Sequence, residues 1–376
     1  MNVLIVHNRY RTPGGEERSV AEIAALLRER GHAVEVLERS SAALGGLPGR
    51  AKAGAAMITG GLGPDEVEQA VRRTRADVVH AHNVHPLWGS RALAAARRAG
   101  ASVVVHLHNY RLFCAIGIGY RDGAVCTRCR GRKVFPGVRL RCRGNLPEAA
   151  AYGAGLWRQQ PQIVAAAGRF VAPSAFAADR LAELGLERDT ISVAHNFLRA
   201  GEFAAAPPDA EPEYALFAGR LVEEKGVRTA VEAAARAGVP LAVAGSGPEA
   251  GRVVAPARPL GQLGPAEMRA ALERAAFLVA PSRWDEPCPY SVIEAMAAGV
   301  PVLASRRGGL PEMVGAEQAL PEGDVGAWAD AVGTLWNDRQ LRRARAEAAL
   351  SRARDLFGPD RFYAALMDAY AAAGAR

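Results

Sequence analysis

Short runs of aliphatic and β-branched residues alternate with segments of helical period along this chain, and after residue 212 the alternation starts over. Val3–Val6, Ala33–Leu37, Asp77–His80, Ser102–Leu107, Phe170–Ala172 and Ile191–Ala194 read as strands. Between the first two, Val20, Ile23, Ala24 and Leu27 fall at i, i+3, i+4 and i+7, the stripe a helix lays on a sheet. Strands that alternate with helices in this way pair in parallel and are covered by helices on both faces. Tyr214–Ala218, Leu241–Ala244, Phe277–Ala280 and Val300–Ala304 form a second series. The expected fold class is α/β, with two doubly wound parallel-sheet domains in one chain.

The boundary is expected in residues 204–212, where three prolines in nine residues forbid a helix or a central strand. Residues 1–200 and 201–355 are then the two domains. The last segment, 356–376, reads as helical, with Phe362, Leu366, Ala369 and Tyr370 on one stripe, and is expected to pack back onto the first domain. Open parallel sheets bind ligands beyond the carboxyl ends of their strands, so the cleft between two such domains is the expected place for chemistry.

A length of 376 residues fits two or three domains. Every Ala-rich run is broken by Arg, Glu or Gly within a few positions, which excludes a membrane-spanning helix of about 20 residues. The start, MNVLIVHNRY, reads as a strand and lacks the features of a secretory signal, so the expected location is cytoplasmic, with peripheral contact at the inner face of the membrane as a further option. The formal charge of +8 is uneven: residues 1–197 carry 27 basic and 16 acidic side chains, a net +11, and the remainder carries −3. That excess favours an anionic partner; a solvated Arg-rich surface is the equally weighted plain reading.

The most informative segment runs from Ala280 to Val302. A strand ends at Pro281-Ser282, a loop carries Glu286, Pro287 and Cys288, and a helix opening near Pro289–Ser291, with Tyr290 and Ser291 in its first turn, carries Glu294. The loop and helix start offer backbone N–H groups to an anionic or hydroxyl-rich ligand. Two carboxylates separated by seven residues are placed to grip two parts of it.

The Glu286-x7-Glu294 pair, in its Pro-Ser…Glu-Ala-Met-Ala-x-Gly-x-Pro-Val frame, resembles the signature of glycosyltransferase family 4, retaining enzymes of the GT-B fold with two Rossmann-like domains. Further matches follow in order: Gly14-Gly15-Glu16, His108-Asn109, Ala172-Pro173-Ser174, Ala218-Gly219-Arg220 with Lys225-Gly226, Gly245-Ser246-Gly247-Pro248, and Gly308-Gly309-Leu310-Pro311-Glu312. The resemblance implies transfer of a sugar from a nucleotide-diphospho-sugar to a hydroxyl of a glycan, lipid-linked or small-molecule acceptor, in polysaccharide or glycoconjugate biosynthesis. It implies front-face attack without an enzyme nucleophile. Glu294 would hold the nucleotide ribose; Glu286 and the backbone through Pro287, Cys288, Tyr290 and Ser291 would hold the donor sugar; His108 would touch the transferred sugar. Arg220 and Lys225 follow a strand end, where two fixed cations offset charge on a diphosphate leaving group. Gly14 and Gly15 open the first helix and let the backbone approach a phosphate or an acceptor, a tight turn being the structural alternative. Gly245 and Gly247 serve the donor side in the same way. His80, His82, His85 and His106 lie near His108 in sequence as core or cleft lining. No Asp-x-Asp pair occurs, so no catalytic metal is expected. Asn196 is followed by Phe197 where the family usually has Gly.

Cys114, Cys126, Cys129 and Cys142 are spaced C-x11-C-x2-C-x12-C within a basic loop at 111–145 that the commonest family pattern lacks. Four thiolates with an internal C-x2-C suit tetrahedral zinc, with free thiols and a redox pair as alternatives. A nucleic-acid or anionic-polymer binder, or a non-catalytic module on the same fold, is the competing reading. Binding of nucleic acid predicts aromatics interleaved with the basic residues, yet 121–143 holds only Phe135. Nucleic acid is therefore not an expected partner.

Overall fold

The computed structural model describes residues 1–10 and 14–375, and these fall into two compact units. The first comprises 1–119, 126–194 and 362–376; the second comprises 120–125 and 195–361. The chain enters the second unit at His195, nearer the start than the proline-rich segment, and returns to the first at Phe362.

In the first unit the strands are β1 (Asn2–Arg9), β2 (Ala33–Ser40), β3 (Val78–Ala81) and β4 (Ser102–His106). A short hairpin, β5 (Tyr120–Arg121) and β6 (Ala124–Val125), counts with the second unit, and β7 (Arg169–Ala172) and β8 (Ile191–Val193) complete the first sheet. That sheet is parallel, in the order β2-β1-β3-β4-β7-β8, with Val3 opposite both Val34 and Val78. Leu4, Ile5 and Val6 are sealed from solvent because helices cover both faces of β1. The helix Gly15–Glu29 lays Val20, Ile23, Ala24 and Leu27 on the sheet. Burying Ile23 fully contributes about 1.5–3 kcal/mol. Glu16 and Glu17 in its first turn and Arg28 in its last suit the helix dipole. Phe362, Leu366, Ala369 and Tyr370 of the helix Pro359–Ala372 are buried.

The second sheet is built from β9 (Tyr214–Ala218), β10 (Leu241–Ala244), β11 (Arg258–Gly261), β12 (Ala275–Ala280), β13 (Val302–Ser305) and β14 (Ala319–Leu320). It is also parallel, in the order β11-β10-β9-β12-β13-β14. The two doubly wound sheets bear out the α/β expectation. In each, the strand order reverses at one point, between β1 and β3 and between β9 and β12, where the loops at the carboxyl ends diverge and leave a crevice for a ligand. No helix among the described residues is long and apolar enough to cross a membrane.

Candidate functional site

The loops after β9 and β12 meet at the switch point of the second sheet. The first carries Gly219, Arg220 and Lys225; the second carries Ser282, Trp284 and Glu286. Lys225 Nζ lies 2.6 Å from Glu286 Oε1 and 2.7 Å from Oε2. Ser282 Oγ and Trp284 Nε1 donate to Oε2 at 2.9 and 2.8 Å, so a carboxylate with only 6% of its side chain exposed is fully satisfied. Two close approaches make this possible. Gly226 has φ 73°, and a Cβ there would stand 2.1 Å from the Pro281 carbonyl oxygen; Gly308 has φ 59°, and its Cβ would stand 2.3 Å from both the N and O of Glu286. Only glycine meets both conditions at these positions. Gly309 N–H donates to the Glu286 carbonyl at 2.7 Å, fixing the backbone on the other side.

Around this pair the other anticipated donor-side residues take different stations. Arg220 is 60% exposed and pairs with Glu224 at 3.6 Å, leaving its guanidinium largely in solvent. Gly245 and Gly247 press against the Gly219 and Leu221 carbonyls, with Leu221 N–H donating to Ser246. Tyr290 begins a helix that runs to Ala297, with Ser291 in its first turn and Glu294 half-buried in the middle. Pro287 and Cys288 are buried; the Cys288 carbonyl accepts from Asn196 Nδ2 at 2.7 Å, and burial pushes the Cys288 thiol up. The structure brings Lys225 and Glu286 into contact and places Arg220 apart from them, on Glu224.

Three features escaped the sequence reading. Ser282 and Trp284, on the same loop as Glu286, are its hydrogen-bond donors. His195 Nε2 lies 2.7 Å from Glu312 Oε1. The third is a polar group in the first unit, after β1. Here Tyr10 Oη and Asn109 Nδ2 donate to Glu16 Oε2 at 3.0 and 3.1 Å, with the Arg111 guanidinium over the Tyr10 ring at 5.2 Å. Burial pushes the Glu16 carboxyl up to about 7. The tandem Gly14-Gly15-Glu16-Glu17 held the signal, since a helix that opens on two glycines puts two acids in its first turn. Gly14 N–H is not offered outward: it donates to Glu17 Oε2 at 2.8 Å.

Beside Glu16 is a small open pocket lined by His82, His85, His106, His108, Asn109 and Arg111 among others. His108 follows the end of β4; its Nε2 lies 2.8 Å from His82 Nδ1, and its ring stacks on His106 at 4.2 Å. His80 stands deeper, its Nδ1 2.9 Å from Tyr370 Oη. Burial lowers the imidazoles of His7 and His85 to about 4 and of His80 to about 3, and drives His82, His106 and His108 well below their ordinary value. The cluster is neutral at pH 7. Among the described residues, His106 finds no hydrogen-bond partner at either ring nitrogen, and Nε2 of His80, His82 and His85 finds none.

Residues 13–200 match the family described as Glycosyltransferase Family 4, and residues 200–352 match Glycosyl transferases group 1. The chain belongs to glycosyltransferase family 4. A glycogen synthase of Mycobacterium tuberculosis is 35% identical over 189 residues, 46% of this chain and 44% of that protein. A D-inositol 3-phosphate glycosyltransferase of Nocardia farcinica is 36% identical over 235 residues, 53% and 51%. The family 4 chain thus spans about half the length of the curated relatives it matches. Among solved structures, HepE of Anabaena in complex with UDP and glucose aligns with a TM-score of 0.65 at 18% identity over 99% of both chains. Sucrose-phosphate synthase of Thermosynechococcus elongatus gives 0.71 at 17% over 98% of both. These likenesses establish the GT-B fold for this family 4 chain.

Proposed function

We propose that this family 4 glycosyltransferase is a retaining enzyme that moves a hexose from a nucleotide-diphospho-sugar to an acceptor hydroxyl. The observation that carries the reading is the buried Lys225–Glu286 pair at the switch point of the second sheet. A lysine held on a satisfied carboxylate is a cation fixed before the donor arrives, so no side-chain reorganisation is needed as charge builds on the departing diphosphate. Arg220, already largely in solvent, turns from Glu224 to the same phosphates at little cost. Glu294 takes the ribose hydroxyls, and the backbone from Glu286 to Ser291 takes the sugar. The UDP, glucose and UDP-glucose held by HepE support a nucleotide-sugar donor.

In the transfer, the acceptor O–H bond breaks and its oxygen bonds to the anomeric carbon on the face the phosphate leaves. The carbon–oxygen bond to the diphosphate breaks, and the acceptor proton passes to the leaving phosphate. The residues orient the two substrates and stabilise charge. His108, half-buried and kept neutral by desolvation, contributes a hydrogen bond to the transferred sugar, and Glu16 with Asn109 offers a site for an acceptor hydroxyl.

The test is a thermal-shift and donor-hydrolysis screen against UDP-, GDP-, ADP- and TDP-sugars, with Glu294→Ala alongside. A donor at about 100 times its Kd adds roughly 2.7 kcal/mol of stability. Stabilisation by one nucleotide class, lost in the variant, is expected. If no nucleotide sugar stabilises the chain, a non-catalytic binder on the same fold replaces this reading. Retention is read separately, from the anomeric configuration of the product.

A further inference from the structure

Residues 107–145 hold little regular structure beyond a two-residue-strand hairpin and the five-residue helix Phe135–Arg139, a length of irregular chain that is uncommon inside a compact domain. Backbone contacts tie its four cysteines together in two pairs. Tyr110 N–H donates to Gly117, Cys114 N–H to Tyr110 and Cys126 N–H to Gly119 at 2.6 Å, while Gly119, with Tyr110 at its back, stands against the Cys126 carbonyl. That network joins Cys114 to Cys126. On the helix, Gly137 accepts the Cys142 N–H at 3.0 Å, and a Cβ on Gly137 would lie 3.5 Å from Cys129 Sγ, which joins Cys129 to Cys142. The two-residue spacer between Cys126 and Cys129 ties one pair to the other. All four thiols belong to the first unit, and none of the chain's five cysteines forms a disulfide. Cys114, Cys126 and Cys142 all lie near enough to Cys129 to act on its thiol electrostatically.

From this convergence we infer that Cys114, Cys126, Cys129 and Cys142 form a structural site for a thiophilic divalent cation, zinc by ligand type, that staples the 107–145 segment. Four thiolates around a dication leave two negative charges, which Arg128, Arg130 and Arg141 of the same segment offset. The ligand set is closed, so the ion takes no part in transfer. Among the described residues, only His80, His82 and His106 already bring three ligand atoms within 4.8 Å of one another; the thiols are looser, and the ion would draw them in. The histidines suit an ion less well. Their rings lie within 13–36° of parallel, so their in-plane lone pairs run side by side rather than converge, and all three are sealed from solvent. The cysteines are half-buried and reachable.

The experiment measures metal by atomic emission in the full chain purified without added metal, and counts reactive thiols before and after a chelator. About one zinc per chain is expected, with four thiols becoming reactive only on chelation. Cys129→Ser and Cys142→Ser should lose the metal, and His106→Gln should keep it. Cobalt in place of zinc should give thiolate-to-metal charge-transfer bands. The inference fails if wild-type protein carries no metal and its thiols react freely from the start. It fails equally if the metal is lost with His106→Gln and kept in both cysteine variants, or if thiols appear only after reduction. The chelation assay on wild-type chain decides the matter even where a variant does not fold, and none of these outcomes depends on the donor reading.

Discussion

The carboxyl ends of the two sheets are built from the same topology and filled with opposite electrostatics. At the second switch point a charged pair, Lys225 and Glu286, is largely buried with both oxygens of the Glu286 carboxylate hydrogen-bonded. At the first, a group of histidines is buried neutral with several ring nitrogens unmet. A satisfied ion pair is rigid and prearranged for a charged ligand. In the neutral group only His108 and Asn109 are half-buried rather than sealed, so what that end presents is hydrogen-bonding groups without charge. The contrast teaches that a doubly wound sheet fixes where a ligand goes, and that the loop residues decide which kind.

The largest effect is expected of Lys225→Ala, which strands the Glu286 carboxylate. We expect sugar transfer to fall by at least about 10²-fold and denaturant unfolding to show a loss of about 3–5 kcal/mol. If unfolding is unchanged, the pair is not the rigid element claimed for it. Arg220→Ala is the counterpart: turnover should drop by about 10²-fold, while Tm stays unchanged because the guanidinium is mostly in solvent. A fall in Tm comparable to that of Lys225→Ala would erase the distinction between the two cations.

On the histidine side the lever is pH. In the unfolded chain His7, His80 and His85 take up protons as pH falls through about 6.5, whereas in the fold they resist until about 3–4. The unfolded state then binds more protons, so stability falls as pH drops from 6.5 towards 4. Glu16 acts in the opposite sense, losing stability as pH rises from 4.5 towards its folded value of about 7. Three imidazoles outweigh one carboxyl, and equilibrium unfolding should show a net loss on the order of several kcal/mol on acidification. A flat profile between pH 6.5 and 4 would mean that these rings are hydrated and accept protons in place. The smallest expected effect is Tyr370→Phe. Removing the hydroxyl from His80 Nδ1 should cost about 1–3 kcal/mol, read by chemical denaturation, without shifting the KM for donor.

Much of the architecture was legible because buried parallel strands are continuous apolar runs: Val3–Val6 and Leu241–Ala244 could hardly be anything else. What escaped were edges. Arg258–Gly261 is largely exposed and contains Pro259, so nothing in its composition announces a strand; its place in the sheet comes from pairing with β10. Ala319–Leu320 is too short for any period to show. The residues at the carboxyl ends of the strands could be named from the sequence, but their bonds could not. Lys225 and Glu286 are 61 positions apart, and only the reversal of strand order between β9 and β12 makes them neighbours. His108 was visible as the end of a strand, but its ring partner His82 lies on the loop after a different strand. Glu16 looked like one acid in an acidic helix start; its burial depends on Tyr10, Asn109 and Arg111 closing over it.

The return of Phe362–Arg376 to the first unit also sets a clock on synthesis. Tyr370, which bonds His80, and Phe362, which stacks on His106, emerge from the ribosome after all of residues 195–361. At about 5–20 residues per second that wait lasts roughly 10–30 s. Throughout it the first sheet stands without its last helix, its histidines uncovered, while the second unit has time to fold. The half of the chain made first is thus the half finished last.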